Sequence, residues 1–453
     1  MLDERSTLSF LVENTRKSQP ASYLRLLVSI DWKKQMSKEQ LIPTNEASQE
    51  ELPTYPFSFA DHSLRLSEEY DQLRQKCPVA RVHMPHGGDA FMPTRYQEIA
   101  QAFADPKCGA IRASDGDVPR LEAGRVTGVE NSAAASIFAV SDARHNKLRR
   151  VIGPAFTVAA ANKLRSRVIE VTHALVDAME RSGPPADLFE DYAIQVPMTV
   201  LCEMLGIPRE EEHLYRESAR MLVSTTASAQ EKQAQAMKLM HYLTPIIQEA
   251  RMNPGDNILG LLIQAREQGD EVMTETEMYG FAMAVIGAGF ETVSTTFTNS
   301  AFILLQQPEL VAQLRTRLEQ PDQLANTIEE ILRITPIGHG RPRITREPVQ
   351  LGETTIPAGE VVFLVPHAAN HDSSVFPDAR EIRFDRELQP ILSFGRGIHA
   401  CLGQQIARME LQVLWQTLLT RLPSVRLAVA PSEVPWRADE ALTFGPEHLP
   451  VTW

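Results

Sequence analysis

The sequence predicts a mainly α protein with small β-sheets. Three features carry that reading. Apolar residues recur every three or four positions over long stretches, most clearly between residues 275 and 306. Short β-type runs are confined to residues 349–365. No internal repeat interrupts the pattern.

Residues 1–52 mix charges with Ser, Gln and Asn and run into TNEASQEELP (Thr44 to Pro53), which reads as a mobile extension. Met36, just before that polar stretch, is a candidate alternative start. From about Tyr55 the helical pattern is dense. Leu64 to Gln75 is amphipathic, and Tyr96 to Phe103 is a short helix. Residues 109–140 are rich in Gly, Ala and Ser with few periodic apolar positions, the mark of a functional loop or lid. Helices resume near Arg144, and Asp187 to Leu205 is apolar at helical spacing. Thr225 to Gln235 is small and polar, a second mobile edge. The clearest helix spans Glu275 to Gln306. Thr274 and Glu277 make its capping box, and Pro308 marks its end. At 1.5 Å per residue it extends ~48 Å. It is apolar on more than one side, as suits a helix through the middle of a domain. Val349 to Leu351 is a short strand, and Ile356 to Val365 reads as a hairpin-like pair around Gly359. A last helical pattern covers Gln405 to Leu422.

The 453 residues carry a net charge of −13, with 43% hydrophobic and 23% charged positions. That composition is globular and excludes a disordered chain, a collagen-like fibre or a disulfide scaffold. The acidic balance argues against nucleic-acid binding. Cys77, Cys108, Cys202 and Cys401 are scattered with no CxxC pair, against a zinc ribbon. No secretory signal precedes them, so a reducing, cytoplasmic setting is expected. The apolar runs 23–30 and 279–290 are too short to span a bilayer, so no membrane association is expected.

One segment carries chemistry: Phe394-Gly-Arg-Gly-Ile-His-Ala-Cys-Leu-Gly403. Three glycines surround Cys401, and a helix starts just after it. Backbone N–H groups and the positive end of the helix dipole would face the sulfur and lower the thiol pKa. A thiolate with no Cys or His partner set suits a single axial bond to haem iron. A lone cysteine is ordinarily structural; the full F-G-x-G-x-H-x-C-x-G spacing argues against that here.

This decamer resembles the signature of the cytochrome P450 family, the haem-thiolate monooxygenases. Other segments share the resemblance, which covers about residues 55–453. Glu330-Ile-Leu-Arg333 matches the family's E-x-x-R helix, whose pair is joined by a later arginine. Arg386 is the candidate for that third member, with Arg383 the alternative. Ala369 to Asp372 and Phe376-Pro377 sit where the family has a similar run. Ala288-Gly-Phe-Glu291-Thr292 resembles the oxygen-activating segment. There Thr292 would hydrogen-bond oxygen or water and Glu291 would pass protons. A mid-helix threonine hydroxyl also competes for a backbone carbonyl and can open a local groove. His145 and Arg149, four apart on one helix face, match an H-x-x-x-R element. With Arg343 and His399 they are the implied partners of the haem propionates, while Phe394, Gly395 and Gly403 frame the cysteine.

The resemblance implies a single catalytic domain over 53–453, with haem b between the long central helix and the cysteine-bearing helix. It implies a dioxygen-using monooxygenase acting on a small molecule, a specialised metabolite, by hydroxylation or by coupling or another oxidative tailoring step. Electrons would come from a ferredoxin and its reductase, docked on Arg144, Lys147, Arg150 and Arg396. The protein is expected to be a monomer. The substrate pocket is expected to use Ala284, Gly287, Ala288, His339, Arg341 and Leu442, with the loops 109–140 and 224–235. His339 and Arg341 suggest a substrate offering a carboxylate or amide carbonyl. The competing readings are a peroxide-driven peroxygenase, which would normally lack the acid–threonine pair, a non-catalytic haem sensor, and an all-α protein without haem.

Overall fold

The structure, a computed structural model, describes residues 52–57, 64–123, 140–387, 389–437 and 441–453. The expected extension up to residue 51, with Met36, lies outside the described residues, as does 124–139 of the glycine-rich loop.

The helices and strands follow the chain in order. Ser67 caps α1 (Glu68–Lys76). A hairpin follows, β1 (Val79–His83) with β2 (Asp89–Pro93), turning at Gly87 and Gly88. Then come α2 (Tyr96–Ala104), β3 (Cys108–Gly109), α3 (Asp142–Ile152), α4 (Val158–Ser182), β4 (Ala186–Asp187) and α5 (Gln195–Leu205). Next are α6 (Glu212–Val223), α7 (Ala229–Met252), α8 (Ile258–Glu267), α9 (Glu275–Gly289), α10 (Glu291–Leu304), α11 (Pro308–Arg315) and α12 (Pro321–Ile334). The chain ends with β5 (Arg341–Thr345), β6 (Val349–Leu351), β7 (Thr354–Ile356), β8 (Val361–Leu364), α13 (Pro366–Asn370), α14 (Gln404–Arg421), β9 (Arg426–Leu427) and β10 (Pro450–Thr452). The mainly α class with small sheets holds.

Three expectations need correction. First, the long central helix is broken: α9 ends at Gly289 and α10 begins at Glu291. Its hydroxyls explain the break. Thr292 Oγ1 donates to the Ala288 carbonyl at 3.0 Å, Ser294 Oγ to Phe290 at 2.9 Å and Thr296 Oγ1 to Thr292 at 2.7 Å. Each competes with the backbone ladder one turn back. Secondly, no hairpin forms around Gly359. β7 pairs with β6 across Gly352, whereas β8 lies between β2 and β5 in a five-stranded sheet ordered β1-β2-β8-β5-β3. All four β8 residues are buried, so it is a central strand needing partners on both sides. Thirdly, only the first part of 225–235 is a turn. The Ser228–Glu231 capping box starts α7 at Ala229.

Three apolar cores result. One wraps α14 with α4, α10 and α12, with the Trp415 and Phe297 rings 5.0 Å apart. A second lies under the five-stranded sheet. The third joins α3 to α5 through α9.

Glu410 sits inside the α14 core, 2% exposed. Burial alone pushes its carboxyl up to about 8. The folded state therefore keeps a proton that the unfolded chain releases near the ordinary glutamate value. Stability from this site is present at low pH and is lost as pH rises from about 4.5 to about 8. Glu410→Gln should remove that slope and raise stability at pH 8 by on the order of a few kcal/mol. Urea midpoints of both proteins across this range would show it; parallel pH profiles would count against it.

Candidate active site

The cysteine loop owes its shape to two glycines. Gly395 and Gly397 have φ of +66° and +76°, where side chains are disfavoured. A Cβ on Gly397 would also stand 2.8 Å from the Phe103 carbonyl of α2. The loop closes through Cys401 N–H to the Phe394 carbonyl at 2.8 Å and Ala400 N–H to Gly397 at 3.1 Å. Gly403 is the N-cap of α14. The Phe394 ring is covered by the Arg408 guanidinium, 4.5 Å from its centroid, and Arg408 is paired with Glu329.

Cys401 is accessible, yet protein surrounds it closely enough that desolvation matters. Its sulfur therefore lies on the wall of an interior cleft. The Gly403 N–H and the charges of Arg149, Arg341 and Arg408 favour thiolate, but burial outweighs them and pushes the thiol up. This corrects the expected lowering by the helix terminus. In such surroundings a metal bound to the sulfur, rather than the dipole, would hold it deprotonated.

Beside the cysteine four nitrogen-bearing side chains converge. His145 and His399 stack with ring centroids 4.4 Å apart. His399 Nε2 lies 3.2 Å from Asp142 Oδ1. Burial, then the charges of His399 and Arg149, push His145 down to about 4, and its Nδ1 is buried with no hydrogen-bond partner. Arg149 donates to the Ile398 carbonyl at 3.1 Å. Arg343 lies over the Phe103 ring, and its Nε is likewise buried and unpartnered. Burial and the adjacent Arg341 lower it to about 10. Two orphaned ring and guanidine nitrogens, next to an accessible cysteine, fit a haem whose two propionates need donors.

Glu291 opens α10 and is buried. Arg437 Nη1, from the C-terminal loop, donates to Glu291 Oε1 at 2.8 Å and to Thr295 Oγ1 at 3.0 Å. Its guanidinium rests 4.8 Å from the Phe189 ring centroid. Sequence reading missed Arg437, because nothing in the pattern links positions 146 residues apart. It also missed Asp142 as the partner of His399.

Arg333 makes two bonds to Glu330, at 2.7 and 2.8 Å. It also donates to the carbonyls of Asn370, Ala379 and Glu381. Of the two candidates for the third member, the Arg386 guanidinium approaches Glu330 at 3.2 Å. Arg383 offers Glu330 only its backbone N–H, and its side chain turns to Asp378 and Asp385. Asn370 then bonds Leu392 N–H and Ser393 Oγ, tying this cluster to the start of the cysteine loop.

On the far side, four segments are zipped by backbone bonds. Ala123 N–H meets the Thr225 carbonyl at 2.7 Å, Leu442 N–H meets Val223 at 2.7 Å, and His339 N–H meets Leu442 at 3.3 Å. Gly287 lies where α9 meets α6: a Cβ there would stand 2.7 Å from Leu222 Cδ2, the end of an exposed side chain that would have to turn aside. Ala284 is buried and Ala288 half-buried on α9. The His339 ring packs against Phe444 and Tyr55, so it serves the wall of the cleft. Arg144 leaves the expected docking face: its guanidinium is held by Glu277 and the carbonyls of Asp270 and Glu271.

A cysteine loop at the head of a helix, a broken helix carrying an acid–threonine pair, and a buried Glu-Arg-Arg cluster define a haem-thiolate protein. Residues 124–445 match the Cytochrome P450 family model, and the chain belongs to this family of monooxygenases. It is 36% identical over 402 residues to mycinamicin IV hydroxylase/epoxidase of Micromonospora griseorubida, covering 88% of this chain and 98% of that protein. It is 36% identical to nocardicin C N-oxygenase of Nocardia uniformis subsp. tsuyamanensis, covering 88% and 98%. Among solved structures, a cytochrome P450 with biaryl coupling reactivity superposes with a TM-score of 0.78 at 32% identity, covering 86% of this chain and 98% of the other. No described helix is long and apolar enough to cross a membrane.

Proposed function

We propose that this monooxygenase binds haem b through Cys401 and uses dioxygen to tailor a small specialised metabolite, with electrons from a separate ferredoxin and its reductase. The observations that carry the proposal are an accessible Cys401 on a glycine-shaped loop, two unpartnered buried nitrogens (His145 Nδ1 and Arg343 Nε) on the residues expected to hold the propionates, and an acid–threonine pair just after the break between α9 and α10. The substrate class draws support from the relatives, whose activities are on mycinamicin IV and nocardicin C. Those activities span hydroxylation, epoxidation and N-oxygenation, so hydroxylation and other tailoring outcomes both fit this site.

When bound, haem supplies the iron redox chemistry that activates dioxygen, favoured by thiolate ligation. The chain's own residues do the rest. Cys401 Sγ would be the donor to the iron, steadied by the Gly403 N–H. His145, Arg149, Arg343 and His399 would hold the propionates. Arg437 keeps the Glu291 carboxylate turned from the cleft toward the C-terminal loop, where it collects protons. Thr292 Oγ1 donates to the Ala288 carbonyl at the helix break; once it leaves that carbonyl its hydroxyl can donate a hydrogen bond into the site, passing a proton on only as a water replaces it on Oγ1. Lys147, Arg150 and Arg396 are exposed and remain the basic docking face for an acidic ferredoxin.

Thr292→Ala tests the oxygen-using reading. With ferredoxin and reductase, the variant should still consume electrons and dioxygen, while product per electron falls roughly tenfold or more. Unchanged product yield, or peroxide-driven turnover indifferent to the substitution, would favour the peroxygenase reading.

A further inference from the structure

Strand β5 places Arg341 and Arg343 two residues apart, hence on one face of the sheet. The two guanidiniums meet different surroundings. Arg343 faces Phe103, Cys108 and Asp142, the side of the stacked histidines. Arg341 lies within electrostatic reach of Cys401 and Glu122. Glu122 adjoins Ala123, whose N–H is zipped to Thr225, while the Arg343 charge is near enough to repel that of Arg341, so Arg341 stands between the propionate donors and the segment around Thr225.

Arg341 is under-satisfied there. Its one described hydrogen bond is a long one, 3.3 Å to the carbonyl of its neighbour Gly340. No carboxylate among the described residues comes within salt-bridge distance of it. The side chain is accessible, yet surrounded enough that burial lowers its pKa, which puts a permanent charge on the wall of an interior cleft. Five rigid N–H donors in such a place match a carboxylate. The two propionates already have four candidate donors in His145, Arg149, Arg343 and His399, so Arg341 is surplus to the cofactor.

Resting on the haem-thiolate reading above, we infer that Arg341 binds a carboxylate of the substrate, which makes the substrate an organic acid. Glu122 is then the opposing charge that an incoming carboxylate must outcompete. The two residues act with opposite sign on acid binding, as they would not if they merely supported each other structurally.

The test uses the holoprotein and two matched probe series, ω-(imidazol-1-yl)alkanoic acids and their carboxamides, with tails of increasing length. The imidazole nitrogen ligates the iron, and binding is read as the Soret shift. For at least one tail length the acid should bind more tightly than its amide. Arg341→Gln should weaken that acid roughly ten- to hundredfold and leave the amide unchanged. Arg341→Lys should keep most of the acid preference, and Glu122→Gln should tighten acid binding. Haem content per chain should stay at the wild-type level in all variants. Equal binding of acid and amide across the series overturns the inference. So does an Arg341→Gln variant that loses haem or weakens both probes alike, which would assign Arg341 to a propionate. Failure of plain imidazole to shift the Soret band would instead count against the haem-thiolate reading.

Discussion

Cys401→Ala should abolish the strongly red-shifted Soret band of the reduced CO complex, and turnover with it. The expectation is sharp because the side chain contributes little else. The loop is closed by backbone bonds, chiefly Cys401 N–H to Phe394, and by the positive-φ glycines 395 and 397. None of these needs the sulfur. The variant should therefore match the wild-type urea midpoint when both are compared without haem. Cys401→Ser should also lose the red-shifted band, since an oxygen donor lacks the electron donation of a thiolate. A Cys401→Ala protein retaining the red-shifted band would remove the cysteine from its assigned place. A variant that lost the band only because it failed to fold would show a displaced midpoint as well.

Arg333→Leu should be the most destabilising single change in the chain. Arg333 is 1% exposed and satisfies five acceptors: both Glu330 oxygens and the carbonyls of Asn370, Ala379 and Glu381. Removing it leaves the buried Glu330 carboxylate with only Arg386 and the Arg383 N–H, and takes a donor from three carbonyls in a dry site. Breaking a buried pair in this way costs on the order of 3–5 kcal/mol, a large part of the about 5–15 kcal/mol that holds a typical domain. Soluble yield, urea midpoint and haem uptake should all fall, because Asn370 passes the cluster's position to Leu392 and Ser393 ahead of the cysteine loop. Arg333→Lys should recover only part, since one ammonium cannot span the fork's acceptors. Arg386→Ala should cost more than Arg383→Ala, because only the Arg386 guanidinium reaches Glu330. A near-wild-type midpoint for Arg333→Leu would show the cluster to be redundant.

Some misread elements were legible in principle. The β1–β2 hairpin has alternating burial in VARVH and a Gly87-Gly88 turn, which is a hairpin signal; it was overlooked among the helical stretches. The break in the central helix was implicit in Thr292, Ser294 and Thr296, three hydroxyls on alternate positions able to reach back a turn. That β7 and β8 join different sheets was not legible. Gly359 permits a turn but does not say which strands it joins, and β8 took its partners from β2 and β5, distant in sequence.

The same division runs through the active site. Short-range chemistry is written along the chain. The glycines that bend the loop around Cys401, the Glu330–Arg333 spacing of one helical turn, and the adjacency of Glu291 and Thr292 each depend on residues a few positions apart. Backbone geometry turns such spacing directly into proximity. Long-range electrostatics is not written there. That Arg386 and not Arg383 meets Glu330, that Arg437 holds Glu291, that Asp142 holds His399, and that burial raises the Cys401 thiol against its helix dipole are all consequences of packing. Desolvation and charge pairing depend on every atom within several ångströms, and those atoms arrive from α3, β5, α14 and the C-terminal loop only when the three cores close.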